Sequence, residues 1–271
     1  MNLLKIFIFL FLFFFSKAFS IVVGNPSDPG IYSNGFFSSK EKNATFRASY
    51  LYNNIYKAEY KNNTNMQATS DVKIKIFASV LTFNFFNRLD LYAILGKVNY
   101  EFVDVDDTLF FQDDGFAWGT GFKLLLYKGN KIDFSFDGKY FSTKQRADYF
   151  VIEKLVYTLN GPFRQRFEEV QGSFAISYKT NLLIPYIGAT FLYTLDTDFF
   201  PYTRIIPKPL VRILSRGDDL AIFETRDMKP KDYFGAVLGI SVINKQKNAT
   251  LNLETRVNDQ NAFAFVGTLR F

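Results

Sequence analysis

Clusters of carboxylates are the residues of this sequence whose types and spacing could do chemistry. Asp104-Val-Asp-Asp107, with Asp113-Asp114 beyond it, offers the oxygen ligands that calcium prefers, but it lacks the glycine and distal glutamate of an EF-hand loop. Glu168-Glu169 pairs two carboxyl groups without an identifiable polar cleft, so we expect no glycosidase there. We interpret the aspartate-rich segment as a solvated loop, and we expect no metal and no cofactor.

The sequence contains neither histidine nor cysteine. Histidine is the commonest general base and metal ligand, and the lipases, proteases and acylases built on membrane barrels rely on it. Without cysteine there is no disulfide framework, although a secreted protein would permit one. No phosphate-binding glycine loop, metal-ligand spacing or nucleic-acid motif stands out. We therefore expect that the protein is not an enzyme.

The remaining charged residues recur on one face of alternating segments. In 131–140, Ile132, Phe134 and Phe136 fall on one face, and lysines and aspartates fall on the other. A period of two is what a β-strand imposes on its side chains. The charged residues that share the polar faces of such segments are Lys131, Asp133, Asp137, Lys139, Lys179, Glu254, Arg256 and Arg270.

The last segment, 261–271, shows the same alternation most clearly. Phe263, Phe265, Leu269 and Phe271 share one face, while the opposite face is small or polar and ends at Arg270. Strands of outer-membrane barrels are apolar toward lipid and polar or small toward the lumen. The pattern predicts that the aromatic row faces lipid and that Arg270 faces the water path.

Composition extends this interpretation to the whole chain. Aromatic residues make up 19% of the sequence, and after the N-terminus no apolar run approaches the roughly 18 residues of a membrane helix. We predict one all-β domain over 21–271, a transmembrane antiparallel β-barrel of 14 strands within a range of 12 to 16. A lumen of that width is compatible with a water-filled channel. Where Val80 and Leu81 break the alternation, a β-bulge is one explanation.

The N-terminus has the anatomy of a secretory signal peptide over 1–20. A positive start through Lys5 precedes the apolar run 6–15, and Ala18-Phe19-Ser20 is a small-x-small cleavage site. These features predict a location in the bacterial outer membrane. The expected partners are outer-membrane lipid and the barrel-assembly machinery, for which the terminal Phe271 is the recognition signal.

Several segments resemble the chlamydial major outer membrane protein (MOMP) family of porins, in the order of that family. The segments are Val23-Gly-Asn-Pro-Ser-Asp-Pro29, Leu81 to Gly96, Glu169 to Tyr178, Pro185-Tyr-Ile-Gly188, Leu253-Glu-Thr-Arg256 and the closing Arg270-Phe271. The resemblance implies a trimeric general-diffusion porin of sixteen strands, held in part by disulfides. This chain departs from the family because it has no cysteine and is shorter.

The charged faces suggest what such a channel would pass. A mixed lining with a small cationic surplus passes small solutes and ions broadly and favours anions slightly. We therefore predict a porin for passive diffusion. The alternative is a structural or adhesive surface barrel that presents loops to a host cell and conducts little.

Overall fold

The structure is a computed structural model that describes residues 23–32, 44–62, 69–103, 109–112, 115–152, 155–200 and 228–271. Side chains are described over 23–32, 44–60, 72–101, 115–144, 166–195 and 229–271. The predicted signal peptide 1–20 and the aspartates of 104–107 and 113–114 lie outside the described residues. None of the described residues forms a helix long and apolar enough to cross a membrane.

Antiparallel strands form nearly all of the described chain. They are β1 (Ala44–Asn62), β2 (Thr69–Phe85), β3 (Leu89–Val103), β4 (Leu109–Gln112), β5 (Gly115–Lys128), β6 (Ile132–Ile152), β7 (Leu155–Tyr178), β8 (Leu183–Phe200), β9 (Met228–Pro230), β10 (Phe234–Ile243), β11 (Ala249–Val257) and β12 (Asn261–Arg270). A short 3₁₀ turn, Asp28–Gly30, precedes them.

Ten of these strands close into a barrel. Each pairs with its neighbour in the order β1, β2, β3, β5, β6, β7, β8, β10, β11, β12, and β12 pairs back onto β1 from Arg47 opposite Arg270 to Lys57 opposite Asn261. The short β4 bridges β3 and β6 next to β5, and the short β9 pairs with β1 past the end of β12. Closure leaves no open edge whose backbone groups would lack partners in hydrocarbon.

The prediction of 14 strands, within 12 to 16, was therefore wrong. It assumed strands close to the roughly 10 residues that a tilted strand needs to cross a bilayer. The strands β6 and β7 are instead 21 and 24 residues long. Long strands use up the chain in fewer crossings, so segments that look separate in the sequence are parts of one strand.

The two ends of the barrel differ in their connections. We call the "turn end" the end that holds the short turns 86–88, 129–131, 179–182 and 244–248, together with the start of β1 and the end of β12. The opposite "loop end" holds the connections 63–68 and 201–227, which are longer than any of these turns, together with short ones such as 153–154 and 258–260. In outer-membrane barrels the short turns are periplasmic and the long loops extracellular.

The outer surface is apolar, as lipid requires. On β12, Phe263, Phe265 and Leu269 are 45%, 37% and 44% exposed, so these three side chains point outward, as the alternation predicts. The same face of the other strands carries further exposed side chains, including Phe77, Leu95, Trp118, Phe134, Phe174, Ile187 and Phe191. A closed barrel with an apolar exterior is the form in which β-strands cross a membrane.

The interior of the barrel is partly apolar, whereas the sequence pattern predicts a lumen lined by polar or small side chains. Inward positions of β1, β2, β3 and β12 contribute Leu51, Ile76, Ile94 and Val266 to one buried cluster. A β-bulge near Val80 was one explanation for the broken alternation, and it was wrong, because β2 pairs in continuous register there with both β1 and β3. Val80 belongs to the buried cluster instead. The alternation is hidden at this point because apolar side chains face both lipid and lumen. The register shift lies instead in β1, between Ile55 and Ala58.

Candidate functional site

Residues 23–32 lie inside the barrel near the turn end, and we call this segment the plug. Its side chains are buried: Asn25 and Ser27 are fully buried, and Val23 and Asp28 are 6% and 4% exposed. Pro26 and Pro29 lack the backbone N–H that a ladder position needs, so the segment does not join the sheet. The plug is held by side chains of the lumen instead.

Lys123 of β5 is the strongest anchor of the plug. Its Nζ donates to the carbonyl oxygens of Val23 at 2.6 Å and Asn25 at 3.1 Å, and to Asp28 Oδ2 at 2.7 Å. The Lys123 and Asp28 side chains are only 4% and 6% exposed. An ammonium group has three donors, and the plug satisfies all three. The lysine is therefore complementary to the plug in both charge and hydrogen bonding.

A group of serines holds the middle of the plug. Ser27 Oγ lies 3.0 Å from Ser135 Oγ on β6 and 2.8 Å from Ser177 Oγ on β7. Asn25 Nδ2 donates to Ser241 Oγ on β10 at 3.0 Å, and Asn25 Oδ1 accepts from Ser177 Oγ at 3.1 Å. The plug thus bridges β6 and β7 to β10, from which β8 separates them in the barrel wall.

Arg47 of β1 clamps the last residues of the plug. Its Nη1 donates to the Asp28 carbonyl oxygen at 3.0 Å, and its guanidinium also forms a buried ion pair with Asp90 of β3. The guanidinium carbon stacks 4.8 Å from the centre of the Tyr32 ring, and the Tyr32 hydroxyl hydrogen-bonds to Thr250 of β11. These contacts combine a cation–π interaction with charge-assisted hydrogen bonds.

Two glycines allow the plug to lie close to the wall. Gly24 has a φ of +81°, and a Cβ there would lie 2.8 Å from Asn252 Nδ2. A Cβ on Gly30 would lie 2.6 Å from Leu125 Cδ2. The first glycine is required by its backbone conformation, and both fit spaces that a larger residue would overfill.

Most of the predicted lining residues lie inside the barrel as ion pairs. Three pairs form: Asp133 with Lys179 at 2.8 Å, Asp137 with Lys139 at 2.8 Å, and Glu254 with Arg256 at 2.6 Å. The hydroxyl groups of Tyr92 and Tyr186 donate to Asp137 and Glu254, each at 2.6 Å. The charges therefore neutralise one another along the barrel wall, within one strand or between neighbouring strands.

The other two predicted residues lie near the turn end. Arg270 points inward and is 3% exposed, whereas Lys131 is exposed in the turn 129–131. Phe271 follows β12, and its backbone N–H donates to the Phe46 carbonyl oxygen at 2.9 Å across the barrel seam. The role of the eight charged residues in lining a conducting pore, and that of Phe271 in assembly, stay predictions.

The sequence reasoning missed Lys123, Arg47 and Asp90, which hold the plug. A signal was present for Lys123, which lies between Phe122 and Leu124 in an apolar strand. An unpaired charge at an inward position needs a partner inside the lumen. The partner, Asp28, lies in a segment that we noted only for its family resemblance.

The lumen is also filled beyond the plug. Val23 belongs to the same buried cluster as Leu51, Ile76 and Ile94, which lie farther from the turn end. Side chains of an eight-stranded barrel are just able to fill its interior, and ten strands leave only slightly more room. Among the described residues, the plug and this apolar cluster therefore both occupy the lumen.

No protein-family model and none of the curated proteins matches the chain. Among solved structures, the outer membrane protease OmpT from Escherichia coli is 11% identical, with a TM-score of 0.40, over 84% of this chain and 96% of that one. An outer membrane channel from Pseudomonas putida F1 is 10% identical, with a TM-score of 0.41, over 88% and 98%. The transport unit of the autotransporter AIDA-I from Escherichia coli is 10% identical, with a TM-score of 0.38, over 91% and 98%. At such values the function has to be inferred from the residues of this chain itself.

Proposed function

We propose that the protein is an outer-membrane β-barrel that its own N-terminal plug closes at rest, and that small ions pass only when the plug leaves the lumen. The observation that carries this proposal is the set of contacts from Lys123, Arg47 and the serine group to the plug. Undocking would leave the buried Lys123 without its partner, which is costly, so we expect the plug to stay in place at equilibrium.

The outer-membrane location is supported by the apolar exterior and the asymmetry of the two ends. All connections at the turn end are short and the longest connections, 63–68 and 201–227, lie at the other end, which is the arrangement of outer-membrane barrels. The predicted signal peptide 1–20 agrees with export from the cytoplasm.

Departure of the plug would change the charge of the lumen. All three hydrogen bonds of Lys123 Nζ go to the plug, whereas the lumen pairs Asp137–Lys139 and Glu254–Arg256 are internal to the wall. An open barrel would therefore gain one unpaired buried cation. A positive group in a narrow lumen favours anions, so we propose that the open state prefers anions weakly.

Conductance in planar bilayers tests the proposal. We expect the mature wild-type protein to show rare or no steps at low voltage, and a variant lacking residues 23–32 to show frequent steps with an anion-favouring reversal potential. Heat-dependent migration on gels confirms that both proteins are folded. Steady open channels in the wild type, equal to those of the deletion variant, would contradict the proposal.

A structural or adhesive surface barrel is the second candidate, and the apolar cluster around Ile76 and Ile94 favours it. This cluster would still fill the lumen after the plug has left. A folded deletion variant that never conducts would support this second candidate over a gated channel. The relationship to the chlamydial porin family and a trimeric assembly stay predictions.

A further inference from the structure

Exposed cations surround the turn end of the barrel. The charged side chains in or directly flanking the four turns are all positive: Arg88, Lys128, Lys131, Lys179, Lys245 and Lys247. Five of them are exposed, and Lys179 is the exception, because it pairs with Asp133. The carboxylates nearest in sequence, Asp90 and Asp133, are fully buried inside the lumen. Asp90 forms an ion pair with Arg47, and Asp133 forms one with Lys179.

Several outward cations of the loop end have a carboxylate partner, whereas Lys75 and Lys229 have none among the described residues. Lys73 pairs with Glu101 at 2.6 Å, and Glu59 pairs with both Lys57 and Lys231. Among the described residues, no such carboxylate lies within ion-pair distance of the exposed cations at the turn end. These cations are therefore open to an anionic partner that is not part of the described chain.

Apolar side chains stand beside the cations. Phe86 is 70% exposed, Tyr127 is 57% exposed and Leu182 is 47% exposed, one in each of three of the cationic turn regions. Such groups are stable when they enter the edge of a bilayer, with aromatic rings at the level of the headgroups. A cation next to them then lies at the height of the lipid phosphates.

We infer that the turn end binds the phosphate groups of anionic phospholipids in the adjacent leaflet. The "cationic rim" comprises Arg88, Lys128, Lys131, Lys245 and Lys247, and it occupies three of the four turn regions. Alternate strands lie about 10 Å apart, so successive turns can each contact a different lipid. The apolar side chains favour a membrane surface over a soluble acidic protein, because they need hydrocarbon as well as negative charge.

A single tryptophan placed in the rim measures this binding. The chain has one tryptophan, so Trp118→Phe with Tyr127→Trp leaves a single reporter beside Lys128. Fluorescence quenching by brominated phosphatidylglycerol is compared with quenching by brominated phosphatidylcholine in mixed vesicles. We expect about a fivefold preference for phosphatidylglycerol, because one lysine near an anionic surface contributes about 1 kcal/mol. Most of that preference should be lost in 0.5 M salt, since salt screens the attraction.

Two matched variants identify the groups responsible. Changing Lys128, Lys131, Lys245 and Lys247 to glutamine should bring the preference close to one. The same change at four cations outside the turn end, Lys73, Lys75, Lys97 and Lys229, should leave it unchanged. A variant with arginine at the same four lysines should keep the preference for phosphatidylglycerol. It would show that the glutamine variant loses the preference because it has lost positive charge, not because it is misfolded.

Three results would overturn the inference. The first is a wild-type preference for phosphatidylglycerol close to one. The second is a preference that persists in the variant with glutamine at the four rim lysines. The third is an equal loss of the preference in the control variant. The last would show that the net charge of the protein, rather than the rim, attracts the lipid. Because this readout is independent of conductance, its failure and the failure of the plug proposal are distinguishable.

Discussion

Replacing Lys123 by methionine should release the plug. The substitution keeps the volume of the side chain but removes its three hydrogen bonds to the plug and leaves the carboxylate of Asp28 without its ion-pair partner. Breaking a buried pair by removing one member costs about 3–5 kcal/mol. At about 1.4 kcal/mol per factor of ten, the docked plug becomes about 100- to 3,000-fold less favoured.

Cysteine labelling measures this release, since the chain contains no cysteine of its own. Pro26 is buried in the plug and its side chain has no hydrogen-bonding group, so Pro26→Cys places a thiol where only an undocked plug exposes it. We expect a hydrophilic maleimide to label Pro26→Cys slowly in the otherwise wild-type barrel. Adding Lys123→Met should accelerate labelling by at least a factor of 100, the lower limit of the estimate above.

The control is Lys144→Met, which removes an exposed lysine of β6 without touching the plug. It should leave the labelling rate unchanged. Adding Asp28→Asn to Lys123→Met should slow labelling again, because the unpaired carboxylate accounts for much of the cost. Equal labelling of the Lys123→Met and Lys144→Met proteins would refute the view that Lys123 anchors the plug.

Further substitutions test the seam, the strands and the lumen. Gly188→Ala should lower the free energy of unfolding in urea by about 1–3 kcal/mol, because its Cβ would lie 2.1 Å from a backbone oxygen of β7. Gly267→Ala, with nothing within 4 Å of its Cβ, should leave unfolding unchanged. Deleting Phe271 should reduce the amount of folded protein in the outer membrane, measured by surface labelling; normal levels would argue against its role in assembly. Arg47→Leu should destabilise the barrel by about 3–5 kcal/mol in the same urea assay, since it leaves a buried carboxylate unpaired. The exposed Arg88→Leu should have little effect, and equal losses would contradict the lumen network.

Alternation in the sequence predicted the fold class and the orientation of side chains. The faces of β12 follow from the period of two alone, because lipid and lumen impose opposite polarity on Phe265 and Arg270. The number of strands did not follow, because periodicity gives no sign of where a strand leaves the membrane. Thus β6 and β7 continue well past the length that the bilayer requires.

The site was less accessible from the sequence. The ion pairs Asp137–Lys139 and Glu254–Arg256 join residues two apart on one face, so their proximity could be predicted. The contact of Lys123 with Asp28 spans 95 residues and depends on the width of the closed barrel. A lumen of fourteen strands would have left the plug without a wall to bind, so the error in strand number concealed the plug as well.

A disulfide between the plug and the wall provides the most direct test that the plug closes the lumen. The Oγ atoms of Ser27 and Ser177 lie 2.8 Å apart, so Ser27→Cys with Ser177→Cys places two sulfur atoms within bonding reach. The measurement is single-channel conductance in a planar bilayer of this double-cysteine variant carrying Lys123→Met as well, so that only the disulfide holds the plug, first oxidised and then reduced. We predict no conductance steps while the disulfide is intact and steps after reduction. Open-channel steps in the oxidised protein would contradict the account, because ions would then cross the barrel with the plug locked in place.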